Sequence, residues 1–172
     1  NIFTRTELNP IKLTEMLEEL ENTVELHSIS VRYKGETVLE GAWAPFSLNE
    51  PQMMHSLSKI GTSICVGFAV DEGKLHLEDH LLDYVREELP ASYDEALEDI
   101  TIYDLLTMQA GSKECCNNVW FSRIKKDWET NWLKQPKIRE DIGRAFHYDS
   151  GCSYTLSRIV SKVMGENCLS IM

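Results

Sequence analysis

The chain has 172 residues, and its 42% hydrophobic content is enough to bury one sizeable core. With 28 acidic and 17 basic residues the formal net charge is −11, which argues against nucleic acid or an anionic membrane as partner, because both repel an acidic surface. No apolar run approaches the roughly 20 residues that cross a bilayer, so we expect no membrane span.

The first segment is predicted to form a helix followed by a β-hairpin. Asn9-Pro10 is an N-cap and first-turn signal. The apolar residues of one helical face follow it: Ile11, Leu13, Met16, Leu17 and Leu20. Residues 24–33 are typical of a strand, Lys34-Gly35 supplies a turn, and residues 37–43 form the return strand. We expect the further strands of this sheet to lie outside the 172 residues.

Ser56-Leu57-Ser58-Lys59 stands at the start of the most apolar helical segment, residues 57–70. Residues three apart share a helical face, so the Ser56 hydroxyl and the Lys59 amine are expected to meet if the helix begins near Ser56. An attacking serine needs a neighbour that takes its proton, and burial lowers the pKa of a lysine enough to make it that base. At a helix N-terminus, the Ser56 N–H is also suited to form half of an oxyanion hole.

The Ser-x-x-Lys spacing also arises by chance, and it has a purely structural interpretation. The same spacing occurs at Ser122-Arg123-Ile124-Lys125, where a charged neighbourhood keeps Lys125 solvated, and we interpret that copy as chance. After Ser56, in contrast, apolar residues occupy several helical faces, as in a helix buried nearly all round. The structural alternative is that Ser56 is only an N-cap and that Lys59 snorkels at the helix end.

Helices dominate the rest of the chain. Thr101 is predicted to cap a helix that runs through Met108 and ends at Gly111. A second helix is predicted over residues 153–164, closed by Gly165.

Four segments together resemble the serine β-lactamase and penicillin-binding-protein superfamily. They are Ser56 to Lys59, residues 71–79, residues 100–108 and residues 146–150, in the family's order. The likeness covers residues 27–167 and is greatest to the class C β-lactamases and the related esterases and D-amino-acid peptidases. The family's second catalytic element is Tyr-x-Asn or Tyr-x-Ser, and Tyr148-Asp149-Ser150 is the only match in this chain.

The resemblance implies roles for these residues. Ser56 attacks a carbonyl, Lys59 and Tyr148 share the proton transfers, and Ser150 contacts Lys59 or binds the substrate. A phenol can give and accept one proton, and a nearby Lys charge lowers its pKa. Without the family, a buried aromatic with a hydrogen-bonded hydroxyl would be the simpler interpretation of Tyr148. Ser150 stands where β-lactamases usually have Asn, which makes lactam turnover less secure than acyl transfer in general.

The implied fold is α+β and β-lactamase/transpeptidase-like. We expect residues 1–172 to be the N-terminal portion of a single domain: residues 1–45 form a helix and a hairpin of the sheet, and residues 46–172 form a mainly helical region with both motifs. The C-terminal strands are absent, since the family's Lys/His-x-Gly strand has no counterpart before Met172. Three tryptophans in residues 111–143 either shape substrate choice or cover the core: Trp120, Trp128 and Trp132.

The implied function is a serine acyl hydrolase that acts through a Ser56 acyl-enzyme, of β-lactamase, esterase or D-amino-peptidase type, without a cofactor. Its substrate is a small molecule or peptide with a reactive carbonyl, and the 172 residues alone need not be active. The alternative is a catalytically inactive family member that serves as a penicillin-binding-like or protein-binding module. Sequence leaves the oligomeric state open.

Cysteine and histidine patterns bear on compartment and metal. The five cysteines form an odd set without C-x-x-C spacing, and no signal peptide is visible, which favours the cytoplasm. Because the chain opens on Asn1, a secreted or periplasmic protein with its leader removed is the alternative. His76 and His80 have the spacing of a helical zinc pair, but they lack the His-Glu-x-x-His form and a third ligand, so no metal is expected.

Overall fold

The structure is a computed structural model that describes residues 8–113 and 128–172, without the side chains of residues 128–130. Two compact units divide the chain, Asn1–Met53 and Met54–Met172. Over the described residues, the first unit contains α1 (Pro10–Thr23), β1 (Ser28–Tyr33) and β2 (Glu36–Ala42).

In the first unit, local signals determine the helix start and the hairpin turn. The Asn9 side chain accepts a hydrogen bond from the Ile11 N–H at 2.9 Å, directly before Pro10, as predicted. The two strands are antiparallel and are joined by Lys34 and Gly35, whose φ angles of 50° and 85° suit a two-residue hairpin turn. The first strand begins at Ser28, later than the sequence predicted.

The second unit is mainly helical. Its described helices are α2 (Lys59–Asp71), α3 (Leu81–Val85), α4 (Ile102–Leu106), α5 (Trp128–Leu133), α6 (Ser150–Met164) and α7 (Cys168–Ile171). Short 3₁₀ turns occupy His55–Ser58, Arg86–Glu88, Glu95–Asp99 and Arg139–Asp141. Helix α6 is central, since it packs against α2, α4, α5 and α7. No helix among the described residues is both long and apolar enough to cross a membrane.

Helix α2 is buried on one side only. Cys65 and Ala69 are fully buried against the core, whereas Ile60, Ile64 and Phe68 are 56%, 47% and 45% exposed. The prediction of a helix buried nearly all round is therefore wrong for the part of the chain that the structure describes. Apolar content shows that a face tends to be covered, but not which neighbours are present to cover it.

The ends of α4 and α6 depend on capping side chains. Thr101 and Asp104 form a reciprocal capping box at the start of α4, as the Thr101 signal predicted. Helix α6 begins at Ser150, three residues before the predicted start, because Asp149 is its N-cap and accepts from the Gly151 N–H at 2.9 Å. Gly165, with φ of 77°, ends it as predicted.

Candidate active site

Three side chains singled out from the sequence meet in the second unit. The Tyr148 hydroxyl donates a hydrogen bond to Ser56 Oγ at 2.6 Å. Lys59 Nζ donates to Ser56 Oγ at 3.1 Å and to Tyr148 Oη at 2.8 Å. Each of the three groups is thus within hydrogen-bond distance of the other two, and they form a closed triangle.

The helical turn around Ser56 explains how it faces Lys59. Ser56 lies in the 3₁₀ turn His55–Ser58, and Lys59 is the first residue of α2. Residues three apart eclipse each other in a 3₁₀ turn, so both side chains project from one face. His55, just before Ser56, has φ of 45°, a left-handed conformation that costs a non-glycine residue roughly 1 kcal/mol. Strain of this kind concentrates at functional sites.

The electrostatics of the triangle act most clearly on Tyr148. The hydrogen bond from Lys59 lowers the pKa of Tyr148, and hydrogen bonds with Ser56 and Ser150 add to this effect, while partial burial opposes it. The direction is the one that the sequence predicted for a phenol beside a lysine. Lys59 itself is only half-buried, and Ser56 is exposed. The site is therefore more exposed to solvent than the buried lysine base considered from the sequence would need.

Ser150, the predicted substrate-binding residue, occupies the first position of α6. Its side chain hydrogen-bonds Tyr148. The hydroxyl therefore adds a fourth polar group to the cluster of Ser56, Lys59 and Tyr148. The contact with Lys59 or with substrate that the resemblance implies stays a prediction.

Sequence reasoning missed the polar cluster that surrounds Asp149. This residue is fully buried, and its carboxylate accepts from Ser112 Oγ and Trp132 Nε1, both at 2.6 Å, as well as from the Gly151 N–H. Lys137 Nζ lies 3.4 Å from Ser112 Oγ and 3.8 Å from the centre of the Trp132 ring. The available signal was an aspartate directly before a helical pattern, which is typical of an N-cap.

The residue on the other side of Tyr148 is also held. His147 Nε2 lies 2.9 Å from Asp141 Oδ2, and the His147 N–H donates to the Met108 carbonyl at 2.9 Å. Both chain neighbours of Tyr148 therefore have specific hydrogen-bond partners in other segments.

His76 and His80 take part in local structural contacts. The Asp79 carboxylate accepts from the His76 N–H at 2.8 Å and from the Tyr84 hydroxyl, and His80 Nδ1 lies 2.8 Å from the Glu98 carbonyl. Within residues 8–113 and 128–172, no group of three or more His, Cys, Asp or Glu side chains is arranged to hold a metal ion.

Some of the cysteines and tryptophans lie in the part of the chain that the structure describes, and others lie outside it. Cys65 is fully buried, and burial raises the pKa of its thiol to about 11, as suits a small core residue. Trp132 packs in the core, in keeping with the core-covering interpretation. Outside the described part lie the other residues that the sequence singled out here: Cys115, Cys116, Trp120, the Trp128 side chain and the Ser122 to Lys125 motif.

Comparison with known proteins identifies the family. The β-lactamase family model matches residues 26–172, and the chain belongs to that family. The resemblance seen in the sequence is thus confirmed. None of the curated proteins compared with the chain matches its sequence.

Solved structures share the fold. FmtA from Staphylococcus aureus is 13% identical with a TM-score of 0.65, and the match covers 99% of this chain and 49% of that one. A class C β-lactamase in complex with cefoxitin gives 20% identity, a TM-score of 0.66 and coverages of 94% and 47%. The octameric penicillin-binding protein homologue from Pyrococcus abyssi is 19% identical with a TM-score of 0.62, and the match covers 94% of this chain and 40% of that one. These likenesses confirm the β-lactamase/transpeptidase-like α+β fold, and the chain spans about half the length of the structures that it matches.

Proposed function

We propose that the protein is a serine acyl hydrolase that works through an acyl-enzyme at Ser56. The observation that carries this proposal is the closed hydrogen-bonded triangle of Ser56, Lys59 and Tyr148. A serine hydroxyl next to two groups that can exchange protons is the arrangement that nucleophilic catalysis requires. Membership of the β-lactamase family supports the same class of reaction.

Proton transfer in this site is expected to run through Tyr148. In the resting arrangement the phenol donates to Ser56 Oγ, so the attack requires the reverse polarity. The lowered pKa of Tyr148 makes its phenolate accessible, and the Lys59 ammonium stabilises that anion. The phenolate then takes the proton of Ser56 as Oγ bonds to the carbonyl carbon.

The remaining steps return each group to its starting state. The carbonyl π electrons move to its oxygen, and the Ser56 N–H stabilises that oxyanion. Collapse of the tetrahedral intermediate breaks the bond to the leaving group, which takes the proton from Tyr148. In the second half, water gives a proton to the Tyr148 phenolate and its oxygen attacks the acyl carbon. The bond between the acyl carbon and Ser56 Oγ then breaks, the acid product leaves, and Oγ takes that proton back from Tyr148.

The substrate proposed is a small molecule or peptide with a reactive carbonyl: a lactam, an ester or a D-amino peptide. Ser150 offers one hydroxyl, whereas an Asn would offer an amide with two donors and an acceptor. A lactam's side chain therefore has fewer partners here, and we expect esters and peptides to be the better substrates.

We also infer that residues 1–172 are the N-terminal portion of a single domain, with residues 1–45 contributing to its sheet. The support is that the matched solved structures are about twice as long. A strand that supplies a second oxyanion N–H would then lie outside these residues, and acylation would be slower without it.

The test is intact-mass spectrometry after exposure to a fluorophosphonate or to a penicillin, on the 172-residue chain and on the protein at its native length. We expect a single fluorophosphonate adduct that forms faster than any penicillin adduct. It should be absent in Ser56→Ala. Ser122→Ala is the matched control because Ser122 starts the other Ser-x-x-Lys sequence, and it should keep the adduct.

Absence of any adduct at both lengths, or an adduct that persists in Ser56→Ala, would contradict a Ser56 acyl-enzyme. Either result would favour the alternative of an inactive family member that binds without acylation.

A further inference from the structure

We propose that Asp149 is a positioning residue for the reaction proposed above. Its buried carboxylate ties the segment that carries Tyr148 to Trp132 and Ser112, and so keeps the phenol within hydrogen-bond reach of Lys59 and Ser56. The inference rests on the proposed function of that site, and its test separates the two.

The hydrogen bonds of Asp149 exceed what a helix cap needs. One oxygen, Oδ1, accepts from the Gly151 N–H at 2.9 Å, which is the usual N-cap contact. The other oxygen, Oδ2, accepts from both Trp132 Nε1 and Ser112 Oγ at 2.6 Å. A fully buried carboxylate is costly unless it is hydrogen-bonded or paired, and here its donors come from three separate segments.

Packing also constrains how these segments meet. A Cβ added at Gly151 would lie 2.0 Å from Trp132 Cδ1, so the indole rests directly on the first turn of α6. Trp132 is itself 2% exposed. The position of the indole is therefore fixed by the helix on one side and by the Asp149 carboxylate at its Nε1.

Tyr148 needs such support because the residue is 43% exposed. An exposed aromatic ring has little packing to select its rotamer, so its direction depends on the backbone to either side. On one side His147 is held by Asp141 and by the Met108 carbonyl. On the other side Asp149 performs the equivalent task.

The charged groups around the segment separate an electrostatic effect of removing Asp149 from a loss of positioning, because the two change the pKa of Tyr148 in opposite directions. Lys59 faces Tyr148, Asp141 faces His147, and Lys137 lies at Ser112 and over Trp132. Removing the Asp149 carboxylate takes away a negative charge and leaves Lys137 less compensated, and both changes alone would lower the pKa of a nearby phenol. A rise in the pKa of Tyr148 therefore reports loss of its contacts with Lys59 and Ser56.

The first measurement is the pKa of Tyr148, from the ultraviolet titration of each variant minus that of the same variant carrying Tyr148→Phe. In the wild-type chain we expect a value below the ordinary one of about 10. Asp149→Ala should raise it, and Trp132→Phe, which keeps the carboxylate but removes the Nε1 donor together with part of the buried ring, should raise it less. Leu81→Ala, a buried change outside the cluster, should leave it unmoved.

The second measurement is the rate of fluorophosphonate labelling against pH. Misplacing a reacting group by about 1 Å can cost roughly 100-fold, and we expect a loss of that order in Asp149→Ala, with the rising limb displaced to higher pH. Asp149→Asn, which keeps the shape and part of the hydrogen bonding, should recover part of the rate. Should Asp149→Ala fail to fold, Asp149→Asn and Trp132→Phe carry the same comparison.

An unchanged pKa of Tyr148 in folded Asp149 variants would overturn the positioning role, whatever the labelling shows. Failure of the wild-type protein to label would instead overturn the proposed function, and the titration would still decide the role of Asp149.

Discussion

Lys59 interacts with Tyr148 as closely as with Ser56. Its ammonium lies 2.8 Å from the phenol oxygen and 3.1 Å from Ser56 Oγ, and it is the first cause of the lowered pKa of Tyr148. We therefore expect Lys59 to act mainly by stabilising the phenolate, with the tyrosine as the group that takes the proton. A buried lysine base was the first hypothesis from the sequence, and the half-buried side chain favours this shared role.

The substitution Lys59→Ala tests this division of labour. Without the ammonium, the pKa of Tyr148 should return toward its ordinary value, so less phenolate is present at neutral pH. Because the proposed base is the deprotonated phenol, labelling should rise with pH up to its pKa, and in Lys59→Ala that rise should move to higher pH. The rate near neutrality should fall about 10²- to 10⁴-fold.

The matched control is Lys125→Ala in the other Ser-x-x-Lys sequence, which should label like the wild-type protein. A Lys59→Ala protein whose labelling rate and pH profile are unchanged would show that Lys59 has no part in acylation.

Short-range spacing pointed to Ser56 and Lys59 as candidates and a family motif pointed to Tyr148, whereas the long-range contacts of the site could not be predicted. Ser56 and Lys59 are three apart, and Tyr148 belongs to a family motif. In contrast, the bonds from Ser112 and Trp132 to Asp149 join segments far apart in the chain, and no local pattern encodes such a meeting. The aspartate could be predicted as a helix cap but not as the centre of a buried cluster.

At the scale of secondary structure, the first turn of α6 links the site to the core. It begins with Ser150, directly after the capping Asp149, and Gly151 lets Trp132 approach its backbone. The sequence placed this start three residues late, because a Ser-Gly pair after Asp is also typical of a loop. Caps with purely local partners, such as Asn9 and Thr101, were predicted correctly.

The substitution Gly151→Ala should destabilise the protein although alanine is the better helix former. The added Cβ would lie 2.0 Å from a carbon of the buried indole and displace it from Asp149. Overpacking costs about 1–3 kcal/mol, and so close an approach places this cost toward the upper end, above the at most about 1 kcal/mol of helix propensity gained. The free energy of unfolding from denaturant titration measures the difference.

Gly67→Ala in α2 is the control, because an added Cβ there meets nothing within 4 Å. It should stabilise by about 0.5–1 kcal/mol. Equal stabilisation by both alanines would show that Trp132 does not rest on the start of α6.

At the scale of the whole molecule, the lowered pKa values of Asp79 and Asp94, two of the carboxylates in the described part of the chain, predict that stability depends on acid pH. The Tyr84 hydroxyl is the main cause that lowers the pKa of Asp79. The Lys137 N–H, followed by that of Ala96, lowers the pKa of Asp94. A folded-state pKa below the unfolded one stabilises the protein above the unfolded value of about 3.9, and this contribution is lost as pH falls through the folded value.

We therefore expect the free energy of unfolding to fall below about pH 4, and to fall less steeply in Asp94→Asn, which is already less stable at neutral pH. Denaturant titrations across the acid range measure both slopes. Glu78→Gln, at an exposed carboxylate, should keep the wild-type slope. Parallel acid slopes for the wild-type protein and Asp94→Asn would remove Asp94 from the explanation.

The family and the α+β class were predictable for the whole chain because four short segments, spread over most of its length, carry the resemblance. Burial was less predictable. The stripe of Ile60, Ile64 and Phe68 is apolar enough to suggest enclosure, yet it is exposed among the described residues. Apolar composition shows that a helix face tends to be buried, but the segments that pack against it determine whether it is buried.

Tandem mass spectrometry of the fluorophosphonate-treated protein at its native length tests the Ser56 acyl-enzyme most directly. The proposed mechanism predicts a phosphonyl group on Ser56 itself, resolved by fragmentation from the neighbouring Ser58, with little modification in Lys59→Ala. A phosphonyl group on Ser58 or Tyr148 instead, or an unmodified Ser56 after prolonged exposure, would contradict it.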